Sequence, residues 1–275
     1  MTQPHPKQCI VCNHTTFISW GVREDNLLYQ CIHCELVFFY PYPTEEELKA
    51  FYNDQYHQNR GYDGSGSAGE FRQKMYKLDV LDLEKKISSF GKVLDVGCAE
   101  GAFLSSLSPK WEKFGIDISN EAIDKANSKG NITAYNKDIN DLNDQAFDVI
   151  HLRGVFEHLL NPLSFIKAAS KKLHSDGYLI LSNTPNTGGL VPKLFRGRFK
   201  LVLPNEHLNY FSVKTIKILL HEGGLTLVHI SYPYFGSPYC SFFKNCLEIP
   251  FNYLTGKMSP PFYGNIFTIY AKKND

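Results

Sequence analysis

The sequence predicts an α/β fold: a mostly parallel sheet covered by helices on both faces, preceded by a small N-terminal zinc-ribbon module. Three observations carry this expectation. From Gly91 onward, short apolar runs alternate with segments of helical period, the pattern that crossover connections impose on a parallel sheet. Val93 to Leu104 passes from an apolar run through Gly97-Cys98-Ala99-Glu100-Gly101 into apolar positions at helical spacing. That is a strand, a tight loop and a helix start, whose backbone N–H groups a ligand can approach closely. Near the N-terminus four cysteines stand in two Cys-x2-Cys pairs.

Composition limits what these motifs can mean. The chain has 275 residues, 43% hydrophobic and 21% charged, which is enough for one large core and an appendage. A formal net charge of +1 gives no global field for nucleic acid or an anionic membrane, so either partner needs a local patch. There is no apolar run of about 18 residues, so no transmembrane segment is expected. Met1 to Pro6 lacks the basic and apolar regions of a signal peptide, and a cytoplasmic location is expected.

Cys9, Cys12, Cys31 and Cys34 form the two pairs, with 18 residues between them. Two short knuckles can present four thiolates to one tetrahedral zinc ion, and the gap suits a hairpin of Thr16–Trp20 with Leu27–Gln30. Such a shell has no open position for water, so the metal is structural. His14 and His33 are rival ligands by position only. Cys98, Cys240 and Cys246 have no ligand spacing and read as small apolar residues.

Thr44-Glu-Glu-Glu47 is a capping box and starts a short helix to about Asn53. The stretch from Arg60 to Gly69 holds four glycines and reads as a linker or lid. Phe71, Met75, Leu78, Leu81 and Ile87 then mark an amphipathic helix. The sheet strands are expected at Lys92–Val96, Lys113–Ile118, Ile132–Tyr135, Phe147–Leu152 and Tyr178–Asn183. Ser119 caps a helix that turns Ala122, Ile123 and Ala126 inward. Pro162 starts another, and Ser212 caps the last, which stops at Gly223-Gly224. Leu225–Ser231 and Asn265–Ala271 read as closing strands.

Over Ser88 to Asp275 the chain resembles the class I S-adenosylmethionine-dependent methyltransferases. The resemblance implies a Rossmann-like methyltransferase sheet, mostly parallel with its last strand antiparallel. It divides the chain into a ribbon (1–42), a helical connector and possible lid (43–87) and the methyltransferase domain (88–275). It also implies S-adenosylmethionine as cofactor. Asp95, Gly97 and Gly101 match the first motif, with Cys98 and Ala99 in the same loop. Asp117, 20 residues beyond Gly97, matches the ribose-binding acid, with Ile118 beside it. Asp138, followed by Ile139, matches the residue that meets the adenine amino group, and Leu152 and Arg153 would lie beside the methionine part. Ala99 stands where the family has a second glycine, and is expected to keep φ below zero. The G-x-G-x-x-G spacing of nicotinamide-binding folds is not met.

Two Glu-His pairs are candidates for chemistry. Glu157-His158 follows the fourth strand. In some quinone-biosynthesis O-methyltransferases a Glu-x-x-Glu-His cluster binds magnesium, but here Gly154 replaces the first glutamate, so a structural or cofactor-lining role is assigned to His158. Glu206-His207 lies in Leu203 to Ser212, a loop leading into the last large helix. This loop, the four-cysteine ribbon and the Pro-x-Pro-Thr-x-x-Glu-Leu passage together resemble the zinc-containing sugar C-methyltransferases of deoxysugar and polysaccharide pathways. That resemblance implies His207 as general base, Glu206 as its orienting partner and Tyr210 as enolate stabiliser.

Lys193 to Leu203 interleaves Arg196, Arg198 and Lys200 with apolar residues. It can be a solvated face, a pyrophosphate clamp or a contact for anionic lipid. The aromatic-rich stretch 232–263 can wall an acceptor pocket, stack a base or bind a prenyl tail. The expected function is methyl transfer to a small molecule, a sugar or nucleotide-sugar first. The alternatives are a quinone or prenyl-lipid O-methyltransferase, an RNA or protein methyltransferase, and a non-catalytic S-adenosylmethionine-binding protein.

Overall fold

The computed structural model describes residues 5–51, 66–144, 146–204 and 206–274. Two sheets organise them. A four-stranded sheet has the order β1 (Phe17–Arg23), β2 (Asn26–Cys31), β3 (Val37–Phe39) and β9 (Asn209–Tyr210). A seven-stranded sheet has the order β10-β11-β8-β7-β4-β5-β6, built from β4 (Lys92–Val96), β5 (Glu112–Ile116), β6 (Thr133–Tyr135), β7 (Phe147–Arg153), β8 (Leu173–Pro185), β10 (Leu225–Ser231) and β11 (Ile266–Lys273). The pairs β4·β5, β4·β7, β5·β6 and β7·β8 are parallel, which is the Rossmann-like methyltransferase fold.

Contacts group the chain into two compact units. The first takes residues 1–42, 154–167 and 183–271, and the second 43–153, 168–182 and 272–275. The residues read as a ribbon thus fall in the first unit.

Within that unit β1 and β2 form a hairpin across Glu24 and Asp25, both with positive φ (48° and 63°). That conformation suits the twist of a two-residue turn. On each side of the ribbon a knuckle repeats one hydrogen-bond pattern. Asn13 N donates to Cys9 O and Cys9 N to His14 O; Glu35 N donates to Cys31 O and Cys31 N to Leu36 O. Where β1 passes the 196–198 turn, glycine stands on both sides. A Cβ on Gly197 would lie 2.3 Å from Val22 O, and one on Gly21 2.6 Å from Gly197 N. The core of this region is Trp20, Leu28, Val37, Val191, Phe195, Phe199, Val202 and Tyr210.

In the second unit, α2 (Gly66–Lys86) buries Met75, Tyr76, Val80 and Leu83. Residues 60–65 lie outside the described set, but Gly66 to Gly69 are helical rather than linker, because the helix starts inside the glycine-rich stretch. Leu81, expected on the buried stripe, is 67% exposed. Asp79 takes the inward position instead, since its carboxylate accepts a hydrogen bond from Arg153 Nε at 2.7 Å. The helix α4 (Asn120–Asn127) starts at Ser119, whose hydroxyl accepts from Ala122 N, and it buries Ala122, Ile123 and Ala126 as its spacing requires. The short helix α3 (Ala102–Ser106) follows the glycine loop.

Candidate functional site

The second unit builds a donor cradle at the carboxyl end of β4. Gly97 is exposed at φ 74°, and Gly97 N and Cys98 N both donate to Ile116 O of β5. Gly101, at φ 72°, opens α3; a Cβ there would lie 2.8 Å from Ile132 Cδ1. Ala99 does not keep the expected negative φ: it sits at +44°. Asp117 holds it there, accepting from Ala99 N at 2.8 Å through one carboxylate oxygen and from Ser119 N at 3.0 Å through the other. Left-handed alanine costs about 1–2 kcal/mol, and a charge-assisted bond offsets a cost of that size.

The predicted donor residues divide into three groups. Gly97, Ile118 and Asp138 are exposed, and Ile118 at 63% offers an open apolar face. Asp138 also caps the turn 139–141, accepting from Asn140 N at 2.9 Å. Cys98, Ile139 and Leu152 turn their side chains into the core; Cys98 packs on Gly115, and burial pushes its thiol pKa up. Asp95 and Arg153 are committed to protein partners. Arg153 pairs with Asp79 and lies 4.9 Å from the centre of the Tyr76 ring. Asp95 Oδ1 is 2.8 Å from His151 Nδ1, and His151 Nε2 is 2.7 Å from Ser182 Oγ, all buried. The Phe103 ring stacks on His151 at 3.9 Å. Burial raises the Asp95 pKa, and the His151 bond pulls it back down. Asp95 is thus tied to His151 of the neighbouring strand. The signal for these contacts was a histidine among the apolar residues Val149, Ile150 and Leu152, since a buried imidazole needs partners for both nitrogens.

The cradle fits S-adenosylmethionine by its donor set. An ionised carboxylate has about four acceptor positions. Asp117 uses two on its own loop, which leaves two for the cis-diol of a ribose.

In the first unit the 203–212 loop meets the segment after β7. His207 Nδ1 is 3.1 Å from Leu201 O, and its Nε2 is 3.9 Å from Glu157 Oε1. His158 Nδ1 is 2.6 Å from Glu206 O, and the two imidazoles meet edge to face at 4.8 Å. Leu208 N donates to Glu157 O, and Asn209 Nδ2 to Leu159 O, so the two segments are stitched together. With Nδ1–H of each histidine given to a carbonyl, each Nε2 carries a lone pair. Glu157, His158 and His207 then offer three ligand atoms within 4.8 Å of one another.

Three of the site assignments change here. The carboxylate beside His207 is Glu157, and Glu206 contributes its carbonyl to His158. His158 belongs with His207 and Glu157. Tyr210 is fully buried, its hydroxyl accepts from Leu203 N at 3.0 Å, and burial pushes its pKa up. Pairing of β3 with β9 places it in the ribbon-side core, so it is a packing residue and not an enolate stabiliser.

The ribbon's sulfurs converge: Cys9 and Cys34 lie 3.5 Å apart, as do Cys12 and Cys31, and all four are free thiols within 4.8 Å of one another. A tetrahedral ion with Zn–S of about 2.3 Å requires sulfurs about 3.8 Å apart, so the donor set fits zinc. Thr215 Oγ1 donates to Cys34 O at 2.7 Å and Tyr42 OH to Asn209 Oδ1 at 2.8 Å, which tie the ribbon to the loop and to the helix Val213–Glu222 of its own unit.

A glycine turn of left-handed residues, closed by an acid at the end of the next strand, is the loop arrangement expected of an S-adenosylmethionine-dependent methyltransferase. The chain belongs to the family described as "Methyltransferase domain", whose model matches residues 68–230. Curated relatives include a ubiquinone biosynthesis O-methyltransferase of Vibrio atlanticus, 32% identical over 128 residues, and one of Neisseria meningitidis, 25% identical over 130. Each match covers 42% of this chain, which spans about half (54%) of each of these relatives. Among solved structures, a Synechocystis magnesium protoporphyrin IX methyltransferase with bound S-adenosylhomocysteine has a TM-score of 0.58 at 16% identity, covering 84% of this chain and 100% of its own. A Thermotoga maritima S-adenosylmethionine-dependent methyltransferase, described as a possible histamine N-methyltransferase, has a TM-score of 0.55 at 15% identity, with 84% and 100% covered. At these identities the likeness is one of fold.

Proposed function

We propose that the protein methylates a small molecule whose nucleophilic atom carries a proton at neutral pH, with His207 as the base, and that a sugar or nucleotide-sugar is the acceptor. One observation carries the base: the Leu201 carbonyl takes the Nδ1–H of His207, which makes Nε2 the basic nitrogen, and Glu157 stands 3.9 Å from it. A buried carboxylate there favours the imidazolium that forms when the proton arrives. S-adenosylmethionine, when bound, supplies an already activated methyl group. Asp117 and the Gly97–Gly101 turn hold the adenosyl part, so that the acceptor atom can attack the methyl carbon in line as the carbon–sulfur bond breaks. The acceptor's proton passes to Nε2 of His207. The four-cysteine ribbon, here assigned zinc, and the Glu206-His207 loop together support the sugar acceptor.

A second reading follows from the Glu157, His158 and His207 cluster. These residues would hold a divalent cation, each histidine oriented through its Nδ1–H as metal-binding histidines usually are. A cation there favours ionisation of an acceptor hydroxyl and suits an O-methylation like that of the ubiquinone-biosynthesis relatives.

The test replaces His207 by Ala and follows S-adenosylhomocysteine formation against a panel of nucleotide-sugars and hydroxylated quinone precursors. The expected outcome is a fall in turnover of about 10²- to 10⁴-fold with cofactor affinity unchanged. Full activity in His207→Ala would remove the base. Activity lost on chelation and restored by magnesium or manganese would favour the second reading.

A further inference from the structure

Helix α8 (Phe242–Leu254) is turned inside out. Its inward side carries buried Asn245, whose Oδ1 accepts from Tyr234 OH at 2.7 Å and from Ser241 N at 3.1 Å. Its outward side carries Phe243, Leu247, Phe251 and Leu254, a stripe at intervals of four, four and three residues, with Phe243 83% and Leu247 75% exposed. At about 1.5 Å per residue the stripe runs about 16 Å along the helix. Apolar residues on one stripe normally face a core. Here they face away from it.

The helix is held rigidly at its end. Arg198 Nη1 donates to the carbonyls of Asn252, Tyr253 and Lys257 at 3.2–3.3 Å, and its guanidinium lies 5.4–5.5 Å from the Tyr253 and Phe195 ring centres. Phe195 ends α6 (Leu190–Phe195), on which Leu190 and Leu194 are exposed on either side of Lys193. Two short helices thus present apolar side chains from one fixed patch.

Charge indicates what the patch meets. Residues 189–200 and 239–263 carry six Lys or Arg and one Glu, a net +5. The other residues carry 23 Lys or Arg and 27 Asp or Glu, a net −4. Lys257 Nζ lies 4.9 Å from the centre of the Phe251 ring, so a cation borders the stripe directly.

We propose that this patch is a peripheral membrane-binding surface that lays α8 and the tip of α6 on an anionic lipid bilayer. Phe243, Leu247, Phe251 and Leu254 enter the boundary between headgroups and acyl chains, and Lys193, Lys244 and Lys257 meet the phosphates. A bilayer asks for apolar area bordered by cations and for no shape complement. A second copy of the chain would bring two +5 patches face to face, which opposes pairing. No helix among the described residues is long and apolar enough to cross a membrane, so contact at this surface is interfacial.

The test is co-sedimentation of the full chain with vesicles of phosphatidylcholine alone and of phosphatidylcholine with about 30% phosphatidylglycerol. The expected result is binding to the anionic vesicles that weakens as salt rises, with little binding to the neutral ones. Phe243→Glu with Leu247→Glu should lower the partition coefficient by about a hundredfold or more. Both side chains are exposed, so thermal unfolding and S-adenosylhomocysteine affinity should match wild type. Failure to sediment with anionic vesicles overturns the proposal, and so does equal binding by the double variant or equal binding to neutral vesicles. A concentration-dependent dimer that the same variant dissociates, with no vesicle binding, assigns the patch to self-association instead.

Discussion

Replacing Asp117 by Ala separates loop support from cofactor binding, because the two effects have different readouts. The carboxylate is 7% exposed and accepts the N–H groups of Ala99 at 2.8 Å and Ser119 at 3.0 Å. Bonds to an ionised acceptor are worth about 1.5–3 kcal/mol each, and partial rehydration of the freed N–H groups returns some of that, so a stability loss of about 2–4 kcal/mol is expected. Ala99 then loses the bond that holds its φ at +44°, and the loop relaxes away from the geometry the donor needs. Two ribose bonds go as well, which raises the dissociation constant for S-adenosylhomocysteine by about 30- to 1000-fold. Asp117→Asn keeps one oxygen acceptor and should cost about tenfold in affinity with a smaller loss of stability. Calorimetric titration with S-adenosylhomocysteine and urea unfolding of the three proteins are the assays. If Asp117→Ala folds and binds within threefold of wild type, the acid is not the ribose ligand.

Three further outcomes follow from the geometry. Purified protein should carry one zinc per chain by elemental analysis, and Cys31→Ser should abolish it and lower stability by several kcal/mol; full zinc retention in that variant would contradict the four-thiolate site. Tyr210→Phe should cost about 1 kcal/mol through the Leu203 N bond and leave turnover unchanged, whereas a large fall in kcat with an unchanged melting temperature would return Tyr210 to the chemistry. Asp95 has a folded pKa raised by burial, so its contribution favours the fold most below the ordinary carboxylate range and declines as pH rises through its folded value. The stability difference between wild type and Asp95→Asn, read by urea unfolding, should therefore shrink or change sign on going from about pH 4 upward, by at most about 1.4 kcal/mol per pH unit. A difference flat in pH would show that Asp95 titrates alike in both states.

What the sequence disclosed is local, and what it concealed is contact over long separations. Ser119 and Ser212 declared their helices because a hydroxyl at the first uncapped turn is a short-range signal. The strands of the parallel sheet showed as apolar runs because both faces are covered, and the strand bounds at Lys92–Val96 agree with the pattern. The loop Gly97–Gly101 and Asp117 were legible as a unit, but not the φ of Ala99, whose N–H donates to a carboxylate 18 positions away. Leu81 looked like a core residue until Arg153, 74 positions from Asp79, drew that acid inward. In the sequence the nearest carboxylate to His207 is that of Glu206. The segment turns at this point, with His207 N donating to Leu203 O, and the carboxylate 3.9 Å from His207 Nε2 comes from Glu157, 50 residues earlier. Tyr210 follows a Glu-His pair, which suggests chemistry, and only the pairing of β9 with the ribbon's β3 reveals that it lies in a core.

The central claim is that the turn at Gly97–Gly101 and Asp117 is the cofactor cradle of a methyltransferase. A crystal structure of the protein with S-adenosylhomocysteine tests it most directly. Both ribose hydroxyls are expected within about 3.2 Å of the Asp117 carboxylate, with the adenosyl part over the exposed backbone of Gly97 and beside Ile118. S-adenosylhomocysteine bound with its ribose on any other acid, or with Asp117 still facing only Ala99 and Ser119, would contradict it.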